Sequence, residues 1–290
     1  MTRKKWISFT GMLVGVTAAA GFSAGPGSQT SPADARLARI LERTTEYCQK
    51  LERAALDFTC IEKIEERTYS TIEEAPDGMV PNPSGVAYTY KPVNTPYYAN
   101  TYVYDYQFVR KGSRKAENRV LIEENGRKKK NKDAVLTTTT VRVENALFGP
   151  IGLLGAAAQD LHEYRIVGEE TEKGEQVLVL EATLKATLDR VHCTGRIWVR
   201  EDDASILRIA WDQTSVGNFK LIRETAKKMN AEPRLTSVTE YGQEKNGLRF
   251  PSKDTTEEGY LKHGNVRVRS LTTILYKDYK FFTVETQVKY

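Results

Sequence analysis

The chain has 290 residues, 28% of them charged and 40% hydrophobic, which is long enough to bury a sizeable core. Its formal net charge is +5, and Arg3, Lys4 and Lys5 supply three of those charges near the N-terminus. So small a remaining excess excludes a dedicated nucleic-acid binder, whose basic footprint is much stronger.

Residues 1–25 have the layout of a secretory signal peptide: a basic start, an apolar run from Trp6 to Phe22, then small residues. A membrane anchor is the alternative. The run sits at the short end of the ~17–25 residues a span needs, and Gly11, Gly15 and Thr17 dilute it. No Cys occurs there for lipid modification, so export to a periplasm or the cell exterior is the expectation. In an oxidising compartment Cys48 and Cys60 are close enough in sequence to bridge, which would stabilise by roughly 3 kcal/mol. Two buried thiols are the alternative, and Cys193 is left over as a small buried hydrophobe.

Residues 26–35 form a tether and a helix cap. Ser31-Pro32-Ala33-Asp34 supplies an N-cap, a proline at the first helical position and an acid close behind. Leu37, Ile40, Leu41, Thr44, Tyr47, Cys48, Leu51, Ala55 and Phe58 then recur at three- and four-residue steps, one apolar stripe on a helix of about six turns. Such a helix ahead of many strands must bury its stripe on a sheet.

Thr59 to Tyr69 reads as a first strand. Residues 71–100 hold Pro76, Pro81, Pro83, Pro92 and Pro96 among glycines and tyrosines, and read as a long irregular loop. Tyr102, Tyr104, Tyr106 and Phe108 then share one face of a strand, and Lys115 to Glu124 returns from it. Asn125-Gly126 signals a turn. The following Arg127, Lys128, Lys129, Lys130 and Lys132 read either as a solvated hairpin tip or as a transient contact with anionic membrane headgroups.

Phe148 to Ala158 is the one long uncharged stretch after the N-terminal segment, a poor regular helix until about Leu153. It reads as a linker and short helix closing the open end of a sheet, or as a mobile apolar gate for a hydrophobic ligand. Strands follow at Tyr164 to Glu170 and Gln176 to Thr183. Gly195 to Arg200 and Ile206 to Trp211 form a hairpin around an acidic turn, Trp198 sharing a face with Arg196 and Arg200 while Ile197 and Val199 share the other. Phe219 to Met229 reads as a short helix. Leu235 to Tyr241 and Leu248 to Thr256 read as a hairpin around Asn246-Gly247, followed by Val266 to Tyr276 and a last strand from Lys280 to Val288.

Catalytic signals are scarce. His162, His192 and His263 stand in no zinc-binding spacing, and neither a phosphate-cradling loop nor a nucleophile elbow is present. The pairs Glu65-Glu66, Glu123-Glu124, Asp202-Asp203 and Glu257-Glu258 read as solvated strand edges and turns. No enzyme activity, metal or cofactor is expected.

The hairpin Gly195-Arg196-Ile197-Trp198-Val199-Arg200-Glu201-Asp202-Asp203-Ala204-Ser205-Ile206-Leu207-Arg208-Ile209, the later Leu248-Arg249-Phe250-Pro251 and the closing Tyr276-Lys277-Asp278-Tyr279 resemble the lipoprotein-carrier (LolA/LolB-like) superfamily. The resemblance runs from roughly Arg36 to Tyr290 and implies one domain over 36–290. The fold it implies is α+β, mostly β: a single curved antiparallel sheet, an unclosed β-barrel of about ten strands, wrapped around a long N-terminal helix. It further implies a periplasmic protein that binds a lipid or lipoprotein acyl chain in a hydrophobic cavity. Phe148, Ile151, Leu153, Leu154, Trp198, Trp211 and Phe250 are candidates for that cavity or its gate, being large and apolar near strand ends or the gate segment. The alternative is a structural or sensory envelope protein that binds a protein partner through a sheet edge or the 71–100 loop.

Overall fold

The structure is a computed structural model that describes residues 31–54, 58–69, 79–81, 88–90, 96, 98–111, 114–131, 149–172, 174–185, 194–217 and 219–282. The expected signal peptide, Phe148, Lys132, Cys193 and most of the 71–100 loop lie outside these residues. Within that loop, β2 (Met79–Pro81) and β3 (Tyr88–Tyr90) pair with one another.

Ser31 starts helix α1 (Pro32–Ala54): its hydroxyl accepts from the Asp34 N–H at 3.1 Å and donates to the Asp34 carboxylate at 2.7 Å. Ile40, Thr44, Tyr47, Cys48 and Leu51 form the buried stripe, as their spacing requires. The stripe stops there, because Phe58 opens strand β1 (Phe58–Thr68) instead of extending the helix. Arg36 ties α1 to the sheet through Glu169 at 2.6 Å and Glu201 at 2.7 Å. Arg43 donates to the carbonyls of Glu201 and Asp202.

The remaining strands are β4 (Tyr98–Lys111), β5 (Arg114–Glu124), β6 (Arg127–Asn131), β7 (His162–Glu172), β8 (Glu175–Leu184), β9 (Gly195–Arg200), β10 (Ile206–Trp211), β11 (Glu232–Glu240), β12 (Gln243–Lys245), β13 (Leu248–Phe250), β14 (Lys253–Lys262) and β15 (Asn265–Phe281). Among the described residues, eleven of the fifteen strands form one sheet in the order β6-β5-β4-β1-β15-β14-β11-β10-β9-β8-β7. Every ladder in it is antiparallel. Among the described residues no ladder joins β6 to β7, so the sheet does not close. β1 is the seam: it lies between β4 and β15, joining the early strands to the end of the chain.

Several expectations change in detail. The Asn125-Gly126 turn has φ of 49° and 77° and reverses the chain at once, so the basic run is end strand β6 rather than a hairpin tip. Arg127, Lys128 and Lys129 are exposed along it, and Lys129 pairs with Glu124 at 2.9 Å. β11 pairs with β14, and the Asn246-Gly247 turn closes a separate small hairpin, β12–β13, inserted between them. β15 runs unbroken through Lys280 to Phe281, and residues 283–288 of the expected last strand lie outside the described residues. Helix α2 (Gly149–Leu154) starts at its glycine, four residues earlier than expected, because tertiary packing of its buried residues overrides weak propensity. Gly155 breaks it from α3 (Ala156–Leu161), and α4 (Phe219–Lys228) forms where the sequence indicates.

One apolar core joins the α1 stripe, α2 and the side chains of the sheet's helix-bearing face. Leu178, Leu180, Ile197, Val199 and Ile209 fill it from β8, β9 and β10; Phe58, Tyr106, Phe108, Phe250, Tyr279 and Phe281 form an aromatic cluster at the other side. Cys48 and Cys60 belong to this core as free thiols, not as the expected disulfide. Each has its own polar neighbour instead: Cys48 donates to the Pro150 carbonyl at 3.5 Å, and Cys60 contacts the Tyr279 hydroxyl. Burial pushes both thiols well above the usual range, Cys48 to about 12, which leaves them protonated.

Candidate functional site

Cross-strand partners point to the same side of a sheet. On the helix-bearing face, β8 to β10 present the aliphatic side chains just named. Across β1, β15, β14 and β11 the same face is polar. Glu66 and Thr256 flank Thr272, Glu258 lies opposite Ser270, Ser237 opposite Thr256, and Thr239 opposite Asp254. All of these side chains are buried. Glu66 and Glu258 are therefore interior groups, not the solvated strand edges expected from their acidic pairs.

Buried charge on this face is neutralised in different ways. Glu62 accepts from Arg119 at 2.6 and 3.0 Å and from the Tyr276 hydroxyl, yet burial still pushes its carboxyl above the usual range. Arg119 also bonds Glu117 at 3.2 Å and stacks over Tyr106. Glu258 accepts from Arg269 at 2.9 Å and Ser270 at 2.7 Å. A β-bulge between Glu258 and Gly259 sets two residues of β15 opposite one of β14 and brings Arg269 to that carboxylate. Asp254 is only 3% exposed, and its hydrogen bonds come from hydroxyls: Thr239 at 2.6 Å and Thr256 at 3.4 Å. Burial, with no cation paired to it among the described residues, raises it to about 6.

The uncharged segment lies between α1 and the sheet as α2 and α3. Gly149 seats it: a Cβ there would stand 2.6 Å from the Tyr241 hydroxyl and 2.9 Å from Cζ2 of Trp211. Leu153 and Leu154 are 0% exposed, and burying them stabilises the packing of α2 by about 1.5–3 kcal/mol each. Polar contacts fix the other side. Gln159 Nε2 donates to the Leu41 and Leu154 carbonyls and to Thr45 Oγ1 at 2.8–2.9 Å, and the Tyr164 hydroxyl donates to the Leu153 carbonyl.

The expected site residues are thus only partly brought together. Ile151, Leu153, Leu154 and Trp211 meet around α2; Phe250 sits in the aromatic cluster. Trp198 belongs to the opposite face of the sheet, being paired with Val179 while its neighbours Ile197 and Val199 point inward. There its indole lies under Arg208 at 3.9 Å and donates to Glu170 at 3.0 Å. Sequence reading missed Gly149, Thr239, Tyr241 and Asp254. The signal for Asp254 was available as period-two alternation with Thr256 and Glu258. Among the described residues no group of three His, Cys, Asp or Glu side chains is placed to hold a metal ion. No helix among them is long and apolar enough to cross a membrane.

No family model and no curated protein matches the chain. Among solved structures, LolA superfamily protein NE2245 from Nitrosomonas europaea is 15% identical, covering 86% of this chain and 94% of its own, with a TM-score of 0.34. A putative outer membrane lipoprotein-sorting protein domain from Vibrio parahaemolyticus is 10% identical, covering 85% and 95%, with a TM-score of 0.38. A DUF1329 family protein from Desulfovibrio piger is also 10% identical, covering 83% and 93%, with a TM-score of 0.34. The chain is similar, at low identity and low superposition, to structures of LolA superfamily and lipoprotein-sorting proteins.

Proposed function

We propose that this is an exported, non-catalytic envelope protein that takes the acyl part of a lipid or lipoprotein between the α2–α3 segment and the sheet. The observation that supports this most directly is the segment itself. It carries no charge before Asp160, is broken by Gly155, and lays two fully buried leucines on an aliphatic face beside Trp211. Lifting so short an element uncovers Ile151, Leu153, Leu154 and the half-buried Trp211 together, an apolar slot of the kind that takes a hydrocarbon chain. The basic end strand, with exposed Arg127, Lys128 and Lys129, then supplies a transient contact with anionic headgroups, joined by Lys130 and Lys132. The N-terminal sequence supports export.

The test is native mass spectrometry of the purified chain together with titration of a fluorescent fatty acid. A co-purifying lipid mass or saturable one-to-one binding supports the reading; neither adduct nor binding overturns it. A second reading, capture of an extended protein segment, is favoured by β7: its eleven residues pair with β8 on one side and, among the described residues, with no strand on the other. A stable complex in a pull-down by a chain that binds no lipid would select that reading.

A further inference from the structure

The polar half of the inner face is connected to α2 by a continuous relay. Asp254 accepts from Thr239 Oγ1 at 2.6 Å, Thr239 accepts from Trp211 Nε1 at 2.9 Å, and the Trp211 ring lies against Gly149, the first residue of α2. The residues around Asp254 are accounted for from each side. β11 contributes Thr239, and β14 itself contributes Thr256, whose single hydroxyl proton can go to Asp254 at 3.4 Å or to Ser237 at 3.0 Å. β15 sets Ile274 directly opposite and Tyr276 next along it; Tyr276 reaches Glu62 of β1, which is held by Arg119 of β5. Glu258, further along β14, is occupied by Arg269. α2, on the far side of Trp211, carries no charge.

We propose that Asp254, acting through Thr239 and Trp211, makes the seating of α2 responsive to pH: the protonated carboxyl holds the segment down and the ionised carboxylate loosens it. This deepens the binding reading by naming how access to the same slot is regulated. The physical reason is linkage. An ionised carboxylate sealed among hydroxyls and hydrocarbon is poorly solvated, whereas lifting α2 from Trp211 admits water to the relay. The closed form therefore binds the proton more tightly than the open one, and raising the pH favours opening. The protonated form is well accommodated, because the acid proton can be given to Thr256, which donates onward to Ser237, while Thr239 still donates to the other oxygen.

The magnitude follows from the Asp254 value of about 6 in the closed form against ~3.9 for a solvated Asp. Between pH 5 and pH 8 the opening equilibrium should rise by about tenfold. The experiment is hydrogen exchange, read by mass spectrometry on residues 149–161 of the full chain without ligand and corrected for intrinsic exchange rates. Wild type should lose about tenfold in protection of this segment from pH 5 to pH 8, and Asp254→Asn should show no such change. Equal pH dependence in both proteins, or none in wild type, overturns the proposal. If the variant does not fold, the carbon-13 titration of the Asp254 carboxyl in wild type takes its place. Its midpoint must coincide with the midpoint of the protection change, and separate midpoints overturn the proposal. Because exchange is read without lipid, a chain that binds no fatty acid can still pass this test, and a chain that binds it can still fail.

Discussion

Asp254→Asn should make the protein more stable at neutral pH, an unusual result for a substitution in a buried hydrogen-bond network. The asparagine has the same shape, and its carbonyl oxygen can accept from Thr239 where the carboxylate oxygen does at 2.6 Å. Its amide can donate toward Thr256, so the group loses charge without losing partners. The sign follows from the direction of the shift. A carboxyl raised from 3.8 to about 6 by burial is protonated more readily in the folded chain than in the unfolded one. Its favourable contribution is full below the unfolded value and is lost as pH rises through the folded value. Ionising it in place costs roughly 3 kcal/mol at pH 8 and less than about 1 kcal/mol at pH 4, so the advantage of the variant should grow between those limits. In a chain of this size that corresponds to a melting temperature higher by roughly 5–10 °C at pH 8. Urea denaturation of both proteins at half-unit steps from pH 4 to pH 8 measures the difference. A variant less stable than wild type at pH 8, or a difference that does not change with pH, would refute the reasoning, since Glu62 and every other titrating group is common to both proteins.

Gly149→Ala should unseat α2, because its Cβ would meet Tyr241 and Trp211 at 2.6 and 2.9 Å; a loss of about 1–3 kcal/mol in denaturation with tighter fatty-acid binding is expected, and unchanged binding with unchanged stability would contradict it. Arg119→Met strands the buried Glu62 and should cost about 3–5 kcal/mol at pH 8. Adding Glu62→Gln should recover much of that, and a double variant as unstable as the single one would show that the ion pair is not the reason. Cys48 and Cys60 should both be modified by a thiol reagent only after unfolding, and peptide mapping that finds them joined in the exported protein would contradict the free thiols described here.

Local features of the fold were readable because each has a local cause. Ser31 and Asp34 mark the start of α1, Asn125-Gly126 and Asn246-Gly247 mark turns, and Tyr102, Tyr104 and Tyr106 of β4 recur at every second position. Features decided by pairing at long range were not readable. Glu66 and Glu258 look like solvent-facing members of acidic pairs until β15 is set between β1 and β14, which turns both onto the inner face. The same holds for β11, whose partner is displaced from the nearest hydrophobic run by the inserted β12–β13 hairpin. Trp198 reads as a slot residue because it is large and apolar near a strand end. Its parity with Arg196 and Arg200 had already set it apart from Ile197 and Val199, and the outer-face stack with Arg208 follows from that parity. In the uncharged segment the apolar character was legible, but the role of Gly149 was not, since it depends on Trp211 of β10 and Tyr241 just past β11.

What happens at Leu153 and Leu154 when a hydrocarbon chain is offered separates an acyl slot from a sealed core. In methyl NMR of selectively labelled protein titrated with a saturated fatty acid below its micelle concentration, the methyl signals of Leu153, Leu154 and Ile151 should shift saturably while the indole N–H of Trp198 stays in place. Unmoved leucine methyls, or shifts confined to Trp198 and its outer face, would contradict an acyl slot beneath α2.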